Sequence, residues 1–588
     1  MKFGILALDY DGTIAREGVL DPEVRAAIEE ARAQGIVVLL VTGRILADLR
    51  GVMGDLRLLD GVVAENGAVI AFPNAGRSSV LGPPPQTVFL EDLRRRDIRF
   101  SQGECIVEAD AAQAHDILSI IRELELPLVL LFNQNRVMVL PQAISKATGL
   151  SQALGALRLS EHNAVAIGDA ENDHQLLEAC ELGLAVSWGS EALKASADSI
   201  LEGDGPAAVA DYIRRIVSQP RLAIKRARRR IMIGTSQSGE PVSLAVRGRN
   251  VLIAGDSQTG KSWVAGLLCE NLILQHYCVC VIDSEGDYRT LEALPGVILL
   301  GGDDPPPQAR EIVRALRYPD VSVVIDLSRM RLKDKQDYVR SLLPLLSRLR
   351  RDTGLPHRIV LDEAHYFLFD TDVEHLLDFE LAGYTIITYQ VSSIHPGILA
   401  ASEAIIVTRE SDTREVRALR ALQGDNKDEA EWERVLGNLS INEVALLPNT
   451  EEAYGKLRRF YVAPRLTSHV RHQHKYFDMP LPESKAFVFS RNGSPTGRRA
   501  RTLKEFTAIL AVAPPEMLDG HLLKGDFSRW IGDVFRDNVL AAEVRQIEEL
   551  YRMGQVPDVN DALIHLVQDR YNLAANAHQA RSSRKERS

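Results

Sequence analysis

At 588 residues the chain is too long to fold around one hydrophobic core, and about three or four domains are expected. A composition of 45% hydrophobic and 25% charged residues is that of a soluble globular protein, and 69 basic against 80 acidic side chains give a net charge of −11, which excludes a globally basic nucleic-acid binder. Five scattered cysteines, the lack of an apolar run of membrane-spanning length and the lack of a signal-peptide pattern in "MKFGILALDYDG" point to a cytoplasmic protein without disulfide frame or membrane contact.

The first predicted strand is the apolar start of "ILALDYDGTIA", which runs into Asp9 and Asp11. Similar runs follow at 36–41, 163–168, 250–255, 278–283, 321–327, 358–362, 384–390 and 404–409, alternating with amphipathic helical stretches. Strands so uniformly apolar belong to parallel sheets covered on both faces, so the main architecture is α/β. Cys278 and Cys280 alternate within one such run and read as buried apolar filling. A proline triplet at 83–85 opens an inserted segment, and "KRARRR" at 225–230 reads as an interdomain link. After about 464 the parallel-strand rhythm gives way to helical patterns with aromatics, and the last residues read as a disordered tail.

The chemistry gathers at strand ends. Asp9 and Asp11, two apart on a strand, face one substrate from its C-terminal end. "VTGR" ends a second strand with Thr42, Gly43 and Arg44, Lys146 in "SKATGL" offers a cation at a helix start, and "GDAENDH" ends a third strand with Asp169, Asn172 and Asp173. A DxDGT alone is also an ordinary strand-to-turn sequence. Together the four supply a nucleophilic carboxylate, a second carboxyl for proton transfer, a hydroxyl and ammonium for phosphate oxygens, and acidic ligands for a hard cation.

Residues 1–217 resemble the haloacid-dehalogenase (HAD) superfamily phosphatases of the Cof-like type. "DYDGT", "VTGR", "SKATGL" and "GDAENDH" match the four motifs of that family, and "VVAENGAVI" and "GLAVSWGSEALKASAD" match its flanking sequence. The resemblance implies that Asp9 attacks phosphorus and that Asp11 protonates the leaving group and then activates water. It implies that Thr42 and Lys146 hold phosphoryl oxygens, and that Gly43, Arg44 and Asn172 line the substrate side. Asp9, Asp11, Asp169 and Asp173, with the Tyr10 carbonyl, make the implied Mg²⁺ set, and a cap is expected at about 84–140.

A second phosphate chemistry follows. "GDSQTGKS" fits GxxxxGK[ST] between a strand and a helical stretch, so Gly255 and Gly260 let backbone N–H groups wrap phosphates at a helix N-terminus. Lys261 is expected to reach the β- and γ-phosphates and Ser262 to ligate Mg²⁺. In "HRIVLDEAHYF" Asp362 is expected to hold the Mg²⁺ shell and Glu363 to polarise the attacking water, and Gln390 ends the next strand where it senses the γ-phosphate or is an ordinary strand-end polar residue. Residues 231–463 resemble the HerA/FtsK-type P-loop ATPases, through the entry hairpin before 255, "VIDSEGDY" with Asp287 where glutamate is usual, "TIITYQVSSI" and "AIIVTRESDTREVRAL". That resemblance implies rings, six subunits being favoured, with an arginine supplied by a neighbour. Arg409 and Arg414 are the candidates, against the plainer reading of surface salt bridges.

The expected fold class is therefore α/β: a HAD Rossmannoid domain at 1–217 with a small α/β cap, a basic linker at 218–232, a P-loop NTPase domain of RecA-like HerA/FtsK type at 233–463, a small mainly helical domain at 466–575 and a tail at 576–588. His469, His472 and His474 lack metal-ligand spacing and read as a basic recognition or packing surface, and Phe527, Trp530 and Phe535 read as core. The expected function is bifunctional: Mg²⁺-dependent hydrolysis of a small phosphorylated metabolite, and ATP hydrolysis by a homo-oligomer. One alternative is an ATP-driven motor on DNA or another polymer with the HAD part as regulator. The other is a nucleotide-gated scaffold controlling the phosphatase.

Overall fold

The computed structural model describes residues 3–568 apart from 134, 220–228, 246–247, 370–374, 380, 423–428, 468–480, 482, 492–493, 536–537 and 556–557. Residues 225–228 of the basic run, the three histidines at 469, 472 and 474 and the tail at 576–588 lie outside the described residues. The chain forms two units, Met1–His469 and Val470–Ser588.

The first unit begins with an eight-stranded sheet in the order Ser199–Leu201, Leu182–Val186, Ala164–Gly168, Ile5–Leu8, Val37–Val41, Gly61–Ala64, Val69–Phe72, Arg77–Val80. Its first six strands are parallel and the last two turn back antiparallel. Every residue of Ile5–Leu8 and Ala164–Gly168 is buried, as expected of central strands covered on both faces. Local signals start the helices. Asp21 caps Pro22–Ala33 by accepting from the Glu23 N–H, with Pro22 at the first position. Ser145 and Thr148 form a capping box that starts Lys146–Leu157 at Lys146 itself. Between the halves of this sheet, the antiparallel strands Leu128–Asn133, Arg136–Pro141, Val107–Asp110 and Phe100–Gln102 and the helices Thr87–Arg95 and Ala114–Glu123 enclose a separate small core around Phe89, Leu93, Ile117 and Val137.

The second sheet of the same unit has eleven strands, ordered Pro241–Leu244, Ile231–Thr235, Arg458–Val462, Glu443–Leu446, Ala404–Val407, Val251–Ala254, Tyr384–Thr388, Arg358–Leu361, Val279–Asp283, Ser322–Asp326, Val297–Gly301. The seven from Ala404–Val407 onward are parallel, and the other four are antiparallel. Each of the apolar runs seen in the sequence is one of these strands or a strand of the first sheet. Cys278 and Cys280 are buried and free, as filling residues should be.

The two sheets meet at the N-terminal ends of their strands. His162 and Asn163 precede Ala164–Gly168 and Glu181 precedes Leu182–Val186, while Tyr277 precedes Val279–Asp283 and His357 precedes Arg358–Leu361. The His162 ring stacks on Tyr277 at 3.6 Å between centroids, with Nδ1 2.7 Å from Glu181 Oε2 and Nε2 2.8 Å from the Gln275 carbonyl oxygen. Tyr277 donates its hydroxyl to Glu181 at 2.9 Å. Burial holds His357 well below the usual histidine range, so it is neutral; Nδ1 accepts from the Cys278 N–H and Nε2 faces Asn163 Oδ1 at 3.2 Å. Arg229 donates to the Ala179 carbonyl at 2.7 Å, and Arg230 pairs with Glu452 at 3.1 Å. The described end of the basic run is thus spent on internal contacts.

The second unit packs the helices Leu503–Leu510, Pro515–Lys524, Asp526–Trp530 and Asn538–Arg552 with a hairpin, Phe487–Arg491 and Ser494–Ala500. Phe487, Phe489, Phe506, Phe527, Trp530 and Phe535 are buried together, the core role the sequence suggested for the last three. Helices dominate, and the hairpin is the element the sequence did not announce.

Two candidate phosphate sites

The first site lies at the C-terminal ends of three neighbouring strands. Asp9 follows Ile5–Leu8, Thr42 follows Val37–Val41, and Asp169 follows Ala164–Gly168. Lys146 enters from its capped helix and donates to Asp9 Oδ1 and Asp173 Oδ1, both at 2.6 Å, with the ammonium almost wholly buried. Burial works against that charge, yet the Asp173 and Asp9 carboxylates raise the lysine above its usual range. Carboxylate oxygens of Asp9, Asp169 and Asp173 lie within 4.8 Å of one another. Burial, and next the Asp173 charge, pushes Asp9 well above the usual carboxylate range and Asp169 up to about 6. Three crowded carboxylates sharing one ammonium form a pocket short of positive charge, which is what a hard divalent cation supplies.

The neighbouring groups suit a phosphoryl ligand. Both amide atoms of Asn172 and Oδ1 of Asn66 are buried without a hydrogen-bond partner. Thr13 donates to Asp169 at 3.3 Å, and Trp188 Nε1 donates to the Gly12 carbonyl at 2.6 Å. Gly12 has a left-handed backbone, and a Cβ there would lie 2.3 Å from Asp169 Oδ2, so glycine is required. Met138 of the inserted sheet reaches over Gly43, its sulfur 3.2 Å from where a Cβ would stand. Arg44 grips Asp11 through Nε and Nη2, both at 2.6 Å. Asp11 is thus ion-paired and partly exposed, and it lies outside the group of three carboxylates within 4.8 Å.

The second site is built on the other sheet. Gly255 and Gly260 adopt left-handed conformations on either side of the loop between Val251–Ala254 and the helix Lys261–Leu274. A Cβ on Gly255 would lie 2.1 Å from Thr408 Oγ1. Lys261 Nζ donates to the Asp256 carbonyl at 2.8 Å and lies 5.9 Å from the centre of the Tyr389 ring. Ser262 donates to Asp287 Oδ2 at 2.6 Å. Sheet order puts Tyr384–Thr388 between the P-loop strand and Arg358–Leu361, which carries Asp362 and Glu363. Gln390 therefore follows the strand that lies between these two elements, and that strand ends at Thr388, two residues earlier than the sequence suggested. Glu363 holds a left-handed backbone at φ 48°, a strained conformation for glutamate, with its carboxylate 3.6 Å from His365 Nδ1. Burial pushes His365 down to about 4, so this neighbour is neutral.

The two candidate arginines part company. Arg409 lies beside its own P-loop, with Nε 3.9 Å from Asp256 Oδ2 and its carbonyl accepting from the Asp256 N–H. Arg414 stands on the first turn of the helix Thr413–Ala421, 79% exposed and, among the described residues, paired with Asp412 at 3.3 Å. Beside the P-loop is also a residue the sequence did not single out, Glu410. It is buried, Oε2 lacks a partner, and burial followed by the Asp256 charge pushes the carboxyl up to about 9. An unfolded glutamate loses its proton near 4.5, whereas the native one keeps it to about 9. The group therefore makes stability fall as pH rises through that window, by at most about 1.4 kcal/mol per pH unit. Glu410→Gln, always neutral, is expected to flatten this fall, read as the denaturation midpoint against pH.

Comparison with known proteins separates the two halves. Residues 6–80 and 90–213 match the family model described as haloacid dehalogenase-like hydrolase, and residues 231–350 match that of the central domain of helicase HerA. The chain joins a HAD-like hydrolase domain to a HerA-type domain. Relatives of the hydrolase domain include the phosphoglycolate phosphatases of Methanosarcina mazei, 27% identical with 36% of this chain and 97% of that protein covered, and of Methanopyrus kandleri, 27% identical with 37% and 97% covered. A haloacid dehalogenase-like hydrolase structure from Bacteroides thetaiotaomicron aligns at 19% identity and a TM-score of 0.33, covering 37% of this chain and all of that one. The HAD-like match encloses Asp9, Thr42, Lys146 and Asp169. The HerA match ends before Asp362, so the second acidic pair, Gln390 and both arginines lie beyond it. Among the described residues, no helix is long and apolar enough to cross a membrane.

Proposed function

We propose that the chain is a bifunctional enzyme, a Mg²⁺-dependent phosphomonoesterase joined to a ring-forming ATPase. The observation carrying the first half is the Lys146 ammonium buried between Asp9 and Asp173 beside Asp169 and the orphaned Asn172 amide. Asp9, Asp169 and Asp173 would hold Mg²⁺, which when bound neutralises charge on the phosphoryl group. Asp9 attacks phosphorus, the P–O ester bond breaks, and the leaving oxygen takes a proton from Asp11. Asp11 then takes a proton from water as the water oxygen attacks the aspartyl phosphate, which releases inorganic phosphate and restores Asp9. Thr42, Lys146 and Asn172 orient the phosphoryl oxygens. For Asp11 to carry a proton, the Arg44 fork must leave it, and a second anionic group on the substrate is the natural acceptor for that fork. A small phosphorylated carboxylic acid fits, in line with relatives named phosphoglycolate phosphatase. In the other domain, Lys261 and Ser262 meet the phosphates, with Ser262 and Asp362 holding Mg²⁺, and Glu363 orients the attacking water. Exposed Arg414 suits donation to a neighbour better than Arg409, which leans on its own P-loop. The test is hydrolysis of a phosphomonoester panel, with and without ATP and DNA; inertness toward every ester at saturating Mg²⁺ overturns the phosphatase half.

The contact between the two sheets favours a second reading, with the HAD-like domain as a ligand-sensing regulator of an ATP-driven motor. Its seam abuts Arg358–Leu361, the strand that ends on Asp362 and Glu363. Under that reading a phosphorylated acid changes the ATPase rate without being consumed. Ring formation has its own expectation. Specific ATPase activity should rise with protein concentration, and Arg414→Ala subunits mixed into wild type should depress activity beyond simple dilution. Mass photometry beside the dilution series checks it, and a fully active monomer sinks the ring.

A further inference from the structure

The turn Glu65–Gly67 joins three parts of the phosphatase site. Glu65 and Asn66 hold left-handed backbones, and their N–H groups donate to the carbonyls of Arg44 and Thr42 at 2.9 and 3.0 Å. Gly67 lies so close to the start of the Lys146 helix that a Cβ there would stand 1.9 Å from the Ser145 carbonyl oxygen. The Glu65 side chain points the third way. It is fully buried, and its carboxylate accepts the Glu104 N–H at 3.0 Å and the Cys105 N–H at 2.9 Å. Those amides belong to the loop between Phe100–Gln102 and Val107–Asp110 of the inserted domain, and a Cβ on Gly103 would lie 2.5 Å from Glu65 Oε2. A buried carboxylate is costly unless its lone pairs are met, and apolar packing would hold a loop to a core more cheaply. Two aligned N–H donors on one carboxylate instead fix distance and direction.

We propose that Glu65 is a positioning residue that sets the inserted domain over the phosphatase site, registering its loop 103–105 against the same turn that holds Thr42 and Arg44. The inference rests on the phosphatase reading for its catalytic consequence, though not for the tether itself. Gln at this position has one acceptor oxygen and turns its NH₂ toward the second N–H; Ala removes both acceptors.

The experiment uses the full chain with Glu65→Gln and Glu65→Ala. Hydrogen–deuterium exchange at 103–105 should quicken in the order wild type, Gln, Ala, while the strand Ile5–Leu8 and the ATPase rate stay unchanged, which also shows that both variants fold. The KM for phosphoglycolate should rise about tenfold in the Gln variant with kcat nearly kept, because the loss falls on substrate enclosure. Orthovanadate inhibition, which needs only the core residues, should hold steady. Unchanged exchange at 103–105 in the Ala variant overturns the tether, and quickened exchange with unchanged KM overturns its role in positioning. A wild-type chain inert on every phosphomonoester overturns the phosphatase reading instead, and the exchange result still decides the tether.

Discussion

Asp9→Asn is expected to abolish phosphomonoester hydrolysis, by a factor on the order of 10⁴ or more, and to leave ATP hydrolysis largely intact. Asparagine retains an oxygen for the Lys146 ammonium, and removes one of three carboxylates crowded within 4.8 Å. The local fold should survive, and in the absence of metal the domain should be no less stable, since mutual repulsion falls. ATP hydrolysis should persist because Asp9 belongs to the eight-stranded sheet and Lys261 to the eleven-stranded one. Steady-state phosphatase and ATPase assays on the same preparation decide it. Near-wild-type phosphatase turnover in the variant would mean that another group is the nucleophile.

Lys261→Ala and Glu363→Gln are expected to fail differently. The first removes the cation at the mouth of the P-loop, so ATP affinity should fall on the order of a hundredfold. The second keeps the size of the side chain but exchanges one acceptor oxygen for an NH₂ donor and loses the negative charge that the proposed role uses to polarise water. It should bind ATP normally and hydrolyse it on the order of 10²–10³ more slowly. Holding Glu363 at φ 48° costs the native state energy that ordinary backbone would not, which is consistent with a side chain aimed for chemistry. Fluorescent-nucleotide titration beside single-turnover hydrolysis separates the two effects. Equal loss of binding in both variants would contradict the distinct roles.

Much of the α/β frame was legible in the chain. Runs such as 163–168 and 321–327 are mostly apolar on both faces, which is the pattern of a covered parallel strand. The candidate site residues were legible where they end such a strand, as Asp9, Asp169 and Asp362 do, because a strand's C-terminal end fixes the position of the next side chain. Strands that lack a two-sided apolar run were less legible. Gly-bearing Ser494–Ala500 is exposed along most of its length, so no burial pattern marks it. The sequence pattern of Tyr384–Thr388 runs on through Tyr389 and Gln390, whereas the strand stops at Thr388, whose hydroxyl accepts from the Gln390 N–H and turns the chain.

The sequence by itself determined the two-sided apolar strands and the candidate site residues at their ends: strand periodicity, helix caps such as Ser145 with Thr148, and carboxylates at strand ends are local, so short stretches carry them. Only the tertiary structure decided the partnerships. His162 and Tyr277 stack across two sheets, although they lie 115 positions apart in the chain. Glu65 looks like a turn residue until its carboxylate is seen on the amides of Glu104 and Cys105. Glu410 looks like a surface glutamate until burial beside Asp256 makes it an acid that keeps its proton to about 9. Each depends on long-range packing that removes a polar group from water and chooses its partner. That choice is set by the three-dimensional neighbours, and no local pattern encodes it.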